Sequence, residues 1–302
     1  LKGGSPPRHR ASFSDHNKQP TIELKGITML ASRFSGFSPS VRSQTALTDD
    51  QIRRVAPSIF AEAAHESRSQ RYTYIPTITV LDGLRKEGFE PFYACQTRVR
   101  VDDRRETTKH MMRLRRAGEQ GARQANEVIL LNSHDGTSSY QMLAGVFRFV
   151  CSNGMVCGDV VDEIRVPHKG NVVQEVIEGA FRVVDGFAQV DSAREGMQAI
   201  GLSRDAQHAL AESALVLRYD EANGPAPVTP AQVLEARRFD DRADDLWTTF
   251  NRVQENLVRG GQAGRNRAGR RATTREVTGI DQGVKLNRAL WVLAERMREI
   301  LG

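Results

Sequence analysis

Apolar positions change their spacing near the middle of this 302-residue chain. Between about residues 90 and 150 they alternate with polar ones, as in strands with one covered face; beyond about 170 they recur at i, i+3, i+4 and i+7, the spacing of amphipathic helices. Strand-like runs fall at about 90–101, 109–116, 127–133 and 138–150. Their connections are too short for helical crossovers, so an antiparallel meander is expected. The helical part opens with Val172, Val173, Val176, Ile177, Ala180, Phe181 and Val184 on one face. It continues behind the N-cap Ser203 with Leu210, Ala214 and Leu217. Two more helices are expected near 241–258 (Leu246, Trp247, Phe250, Val253, Leu257) and 285–300 (Leu286, Leu290, Leu293, Met297).

Local punctuation sharpens these boundaries. Thr48-Asp-Asp-Gln51 has the form of a capping box and opens a short helix ended by Pro57. Pro76 suits the start of a helix to about Glu87 carrying Ile78, Leu81 and Leu84, with Gly88 as its stop. Asn223-Gly-Pro-Ala-Pro is a linker or turn. The fold class is therefore α+β. A sheet domain is expected over 29–169 and a mostly helical region over 170–302. Residues 1–28 begin with Gly-Gly-Ser-Pro-Pro-like sequence and hold no methionine before Met29, so they are expected to be an extension or tag outside the fold.

Charge changes the picture more than composition does. In the run 98–116, Val99 and Val101 alternate with Arg98 and Arg100, and Met112 and Leu114 alternate with Arg113 and Arg115. Period two places the arginines on one side of a hairpin, where like charges repel unless an anion or local carboxylates neutralise them. This run holds eight Arg and Lys against three acidic residues, and 259–275 holds six Arg with none. Since the whole chain is only +6, the remainder is net negative and the positive charge is concentrated. Such concentration is the electrostatic footprint of nucleic-acid binding. Arg98, Arg100, Arg113 and Arg115 are the expected phosphate contacts, with Lys109 and Arg116 at the edge and Arg148 nearby. Arg265, Arg267, Arg270 and Arg271 would clamp from a Gly-rich loop, expected to be mobile without a ligand.

Other chemistry is weaker. Ser133, His134 and Asp135 are adjacent, so their side chains point apart and cannot form a hydrolytic triad. Asn132-Ser-His-Asp-Gly136 is instead a tight turn in which Asn132, His134 and Asp135 hydrogen-bond locally or touch nucleic acid. His110, His134 and His168 lack metal-ligand spacing, and there is no phosphate-cradling Gly-rich motif, so no metal, cofactor or catalytic residue is assigned. Phe147 and Phe149 share a strand face and fit a core or a base-stacking role. Cys95, Cys151 and Cys157 are expected to be reduced and structural. No signal peptide or membrane span is expected, so the protein is placed in the cytoplasm.

Four stretches, Tyr72-Thr-Tyr-Ile-Pro-Thr, Lys109-His-Met-Met-Arg-Leu-Arg-Arg, Leu131-Asn-Ser-His-Asp-Gly-Thr-Ser-Ser-Tyr and Phe147-Arg-Phe-Val-Cys-Ser-Asn-Gly-Met-Val-Cys-Gly, resemble the prophage- and plasmid-borne family of domain of unknown function 932, in particular its YfjQ-like members. The resemblance covers about residues 29–302 and implies no activity. The order of elements is also similar to the β-β-β-α core of Rad-fifty-two-type single-strand annealing proteins. That likeness implies a DNA groove lined by the basic hairpin, self-association and no nucleotide. The expected function is single-stranded nucleic-acid binding, with single-stranded DNA favoured and strand annealing as its extension, by a homo-oligomer from a mobile element. The alternatives are a protein-binding counter-defence or regulatory factor, or a nuclease.

Overall fold

The computed structural model describes residues 40–66, 74–99, 104–116, 124–149, 153–157, 163–220, 222 and 224–302. Arg100, Cys151 and residues 1–28 lie outside them.

The meander forms as the alternation predicts. Strands β1 (Ser40–Arg42), β2 (Phe89–Gln96), β3 (His110–Arg116), β4 (Gln124–Asn132), β5 (Tyr140–Arg148) and β6 (Asn153–Val156) lie in that order, and β7 (Ile164–Val166) pairs with the other end of β5. All pairings are antiparallel. The register slips between Pro91 and Tyr93, making Phe92 an extra residue in β2; Pro91 has no N–H to give a ladder, so a bulge costs little there.

The strand boundaries revise one expectation. β2 stops at Gln96, whose partner is His110, so Arg98 lies beyond the ladder and is exposed. Arg98 therefore does not share a strand face with Arg113 and Arg115.

Helices α1 (Asp49–Val55) and α2 (Thr77–Lys86) precede the meander. Thr48 and Gln51 make the reciprocal capping box, and Gly88, at φ 84°, takes the left-handed turn after α2. After the sheet come α3 (Val172–Asp185), α4 (Phe187–Ala199), α5 (Arg204–Arg218), the short α6 (Pro230–Val233), α7 (Leu246–Arg259) and α8 (Ile280–Leu301). Ser203 caps α5 as expected; Leu210 and Ala214 are buried but Leu217 is exposed at the helix end. One apolar core runs from Met112, Leu114, Val128 and Val146 on the sheet through Val176 and Val183 of α3 to Phe250, Leu290 and Trp291.

The opposite sheet face is enclosed too. Cys95, Met111, Ile129, Leu131, Leu143 and Val156 form a second cluster, covered by Ile280 and Val284 of α8. The Arg113 guanidinium on β3 donates to the Met155 carbonyl on β6 at 3.2 Å. Three strand spacings amount to about 14 Å, beyond an arginine's reach across a flat sheet, so the sheet curls and this face is concave. Among the described residues, no helix is long and apolar enough to cross a membrane, and Cys95 and Cys157 are buried free thiols.

Candidate nucleic-acid interface

Arg113 and Arg115 stand on the concave face, as their shared parity with Met111 requires. They are 6% and 2% exposed, and Glu127 between them is 1% exposed. Glu127 Oε1 accepts from Arg115 Nε at 2.9 Å and Nη2 at 2.8 Å, while its Oε2 accepts from Arg113 Nη1 at 3.2 Å. Local carboxylate pairing therefore answers the repulsion anticipated from the sequence. Gly154 makes the packing feasible, since a Cβ there would lie 2.3 Å from Arg113 Nη1. Rings fill the remainder: the Arg115 guanidinium sits 4.4 Å from the Phe92 ring centre, 4.5 Å from Phe147 and 5.0 Å from Phe149.

The other sheet cations are dispersed. Lys109 pairs with Asp281 of α8 at 2.7 Å. Arg116, exposed, lies over Phe181 of α3 at 5.6 Å. Arg148 is buried and donates to Asp241 at 2.8 Å; Asp241 also meets Arg238, which binds Glu255 of α7. That chain of charges fastens the end of β5 to the helical region.

The Arg/Gly segment, read from its composition as a loop, pairs as a short hairpin. Strands β8 (Ala263–Arg265) and β9 (Arg271–Thr273) pair, and Asn266 closes the turn by accepting from the Ala268 and Arg270 amides at 3.0 Å. Polar bonds supply the order that apolar burial could not. The Arg265 amide donates to the Pro227 carbonyl at 2.9 Å, and Gln232 and Gln262 exchange side-chain bonds with the backbones of Ala263 and Gln232. At Gly264 a Cβ would fall 2.0 Å from the Pro227 oxygen, so only glycine permits this docking. Arg265, Arg267, Arg270 and Arg271 are all exposed, and among the described residues none forms an ion pair with a carboxylate.

A third constellation was read in the sequence only as three histidines without metal-ligand spacing, not as a hub around Thr77. His110 on β3, His134 after β4 and His168 before α3 converge at one sheet end around Thr77, the first residue of α2. Thr77 Oγ1 lies 2.9 Å from His110 Nε2, 3.1 Å from His134 Nε2, 3.2 Å from the Tyr140 hydroxyl and 3.0 Å from Asn132 Nδ2. The protons can be assigned by donor and acceptor capacity. The Gln96 amide donates to the Arg105 carbonyl, so its Oε1 accepts from the Ser58 N–H and O–H. Ser58 Oγ then accepts from His110 Nδ1 at 2.9 Å, leaving His110 Nε2 to accept the Thr77 proton. The Thr77 lone pairs take Asn132 and the His134 Nε2–H. Asn132 Oδ1 receives His168 Nε2–H at 2.9 Å, and Tyr140 donates to the Ile75 carbonyl. Among the described residues His134 Nδ1 is buried with no hydrogen-bond partner. Asp135 stays in the turn, accepting from Thr137 N and Oγ1 at 3.0 and 2.6 Å, while Asn132 and His134 turn their side chains inward.

Among the described residues no group of His, Cys, Asp or Glu is arranged to hold a metal ion. The cluster locks α2 onto the sheet and titrates. Burial, followed by the His168 charge, lowers the His134 pKa to about 4; burial, followed by the His134 charge, holds His110 well below its ordinary value; burial also lowers His168. Each native pKa lies below the unfolded value of about 6.5, so between about pH 4 and 6.5 the unfolded chain binds protons that the native one refuses. Stability is thus expected to be complete above about pH 6.5 and to fall as the pH drops, by about 3 kcal/mol for His134 alone at pH 4. Urea unfolding midpoints between pH 4 and 8 measure this, and a flat profile would contradict the buried neutral assignment.

Thr77, His110, Asn132, His134 and Tyr140 all fall within the stretches that carried the family resemblance, although only the histidines and Asn132 stood out as chemistry. Beside this cluster, the cleft bounded by Glu62, Glu66, Glu106 and Arg53 is acidic, a poor place for a polyanion.

Fold and site define a mixed α+β protein whose curled antiparallel sheet closes over a charged interior and carries a helical C-terminal region. A family model described as a domain of unknown function (DUF932) matches residues 64–291, and the chain belongs to that family. It is similar to the UPF0380 proteins YafZ and YfjQ of Escherichia coli (strain K12), each 57% identical over 271 residues, or 90% of this chain and 98% of the relative. No solved structure matches it.

Proposed function

We propose that the protein binds single-stranded nucleic acid through the β8–β9 hairpin, as a component of a mobile element. The observation that carries this reading is the exposure of Arg265, Arg267, Arg270 and Arg271 with no carboxylate partner among the described residues, while Arg113, Arg115 and Arg148 are each paired with an acid. An unneutralised guanidinium ribbon on a fixed backbone meets phosphates with little ordering cost. Binding would be largely electrostatic and tolerant of sequence. Strand annealing and self-association extend the same reading, supported only by the order of meander and helix.

Each phosphate neutralised on a single strand contributes about −0.7 to the log–log salt slope. Changing Arg265, Arg267, Arg270 and Arg271 together to Gln is therefore expected to flatten the slope by about 3 units while the melting temperature holds. Fluorescence anisotropy of a labelled oligothymidylate across several salt concentrations measures it. An unchanged slope would remove the hairpin from the interface. Absence of oligonucleotide binding by the unaltered protein would favour an acidic protein partner instead.

A further inference from the structure

Among the described residues, the β1 edge of the curled sheet holds more positive charge than its carboxylates neutralise. Arg42 ends the edge strand β1 opposite Tyr93, which is in turn opposite Arg113. Val41 packs toward the main core, so alternation turns Arg42 to the concave side. Its guanidinium is wedged between two rings, 4.8 Å from the centre of Tyr93 and 4.8 Å from that of Phe147. Phe147 carries Arg115 as well, at 4.5 Å. Three guanidiniums thus share one neighbourhood with a single carboxylate, Glu127, which is occupied by Arg113 and Arg115. Glu90, on the neighbouring strand, faces Arg85 at 3.7 Å. Among the described residues Arg42 has no carboxylate of its own.

Solvent still reaches the Arg42 side chain. Dense surrounding protein and then the Arg113 charge nevertheless lower its pKa from the ordinary arginine value. Both effects follow from an uncompensated cation at the rim of a low-dielectric interior, where a bound anion gains most. Tyr93, under the Arg42 guanidinium, is half-buried. Phe149 is half-buried as well and meets Phe147 edge to face at 5.2 Å.

We propose that this mouth is a phosphate-binding subsite, in which Arg42, backed by Arg113 and Arg115, holds one phosphate group of a nucleotide unit while Phe149 and Tyr93 receive its base. The inference deepens the nucleic-acid reading by naming a subsite, but it rests on residues separate from the hairpin. The phosphate could belong to a free mononucleotide or to a strand. Planar guanidinium donors suit phosphate oxygens, and ring faces suit any base.

Calorimetric titration of the full chain with thymidine 5′-monophosphate, thymidine and an oligothymidylate separates these cases. Saturable binding of the monophosphate with none of thymidine, weakened at least tenfold in Arg42→Gln and less in Arg42→Lys, is the expected result. If the monophosphate fails but the oligonucleotide binds and Arg42→Gln weakens it by the same factor, the ligand is a strand. Arg42 is exposed at a sheet edge, so the variant is expected to fold; an unchanged melting temperature checks this, and Phe149→Leu, expected to weaken base-bearing ligands but not inorganic phosphate, is the second variant. Oligonucleotide binding that survives Arg42→Gln and is lost in the hairpin variant would overturn the mouth and leave the hairpin reading standing. Binding of neither ligand to the unaltered protein would overturn both.

Discussion

Replacing Glu127 with Gln is expected to lower stability by about 3–5 kcal/mol, the largest effect of any single change on the concave face. Glu127 is 1% exposed and, among the described residues, is the carboxylate that Arg113 and Arg115 bond. The amide would leave two buried guanidiniums without a counter-charge. For a domain of this size that corresponds to a fall in melting temperature on the order of 10 °C, readable by calorimetry. A simultaneous change of Arg113 and Arg115 to Met and Glu127 to Leu is expected to restore most of the loss, because the cost lies in uncompensated charge rather than in missing attraction. A Glu127→Gln protein that melts within 2 °C of the parent, a threshold set at about 1 kcal/mol or less, would show that water reaches the pair.

Thr77→Val should rank second. The substitution keeps the shape of the side chain and removes the hydroxyl on which His110, His134 and Asn132 converge. Each buried partner left unsatisfied costs about 1–3 kcal/mol, so a loss of about 3 kcal/mol or more is expected in urea unfolding. Thr77→Ser retains the hydroxyl and should cost about 1 kcal/mol, the effect of one buried methyl group. Equal losses in the two variants would mean that packing, not the hydrogen-bonded hub, accounts for the role of Thr77.

Much of the fold was legible because its signals are local. The capping box at Thr48, the N-cap at Ser203 and the left-handed Gly88 are each settled by a few neighbouring residues. The face on which Arg113 and Arg115 lie was legible as well, since period two leaves no choice. What that face meets was not. An alternating strand does not reveal whether its polar side looks at water or into a curl, and here β6 and α8 decide the matter from residues 153–156 and 280–284. Composition pointed to a loop at the Arg/Gly segment, where contacts with Pro227 and Gln232 hold a hairpin with almost nothing apolar to bury. α7 shows the same gap. Its apolar stripe was correctly read, yet Asn251, Arg252, Gln254, Glu255 and Asn256 are buried too, each with hydrogen-bond partners from the surrounding elements or its own helix.

By itself, then, the sequence determined the α+β class, the antiparallel meander, the starts of α1, α2 and α5 and the concentration of charge in two short segments, all consequences of spacing within about a dozen residues. Only the tertiary structure decided which cations remain free. Burial beside Glu127 and Asp241 neutralises Arg113, Arg115 and Arg148, whereas among the described residues Arg42 and the β8–β9 arginines have no carboxylate in an ion pair. It also decided that Thr77 and three histidines meet, across separations of 33 residues from Thr77 to His110 and 57 to His134. Such contacts arise from chain folding and leave no periodic trace in the sequence.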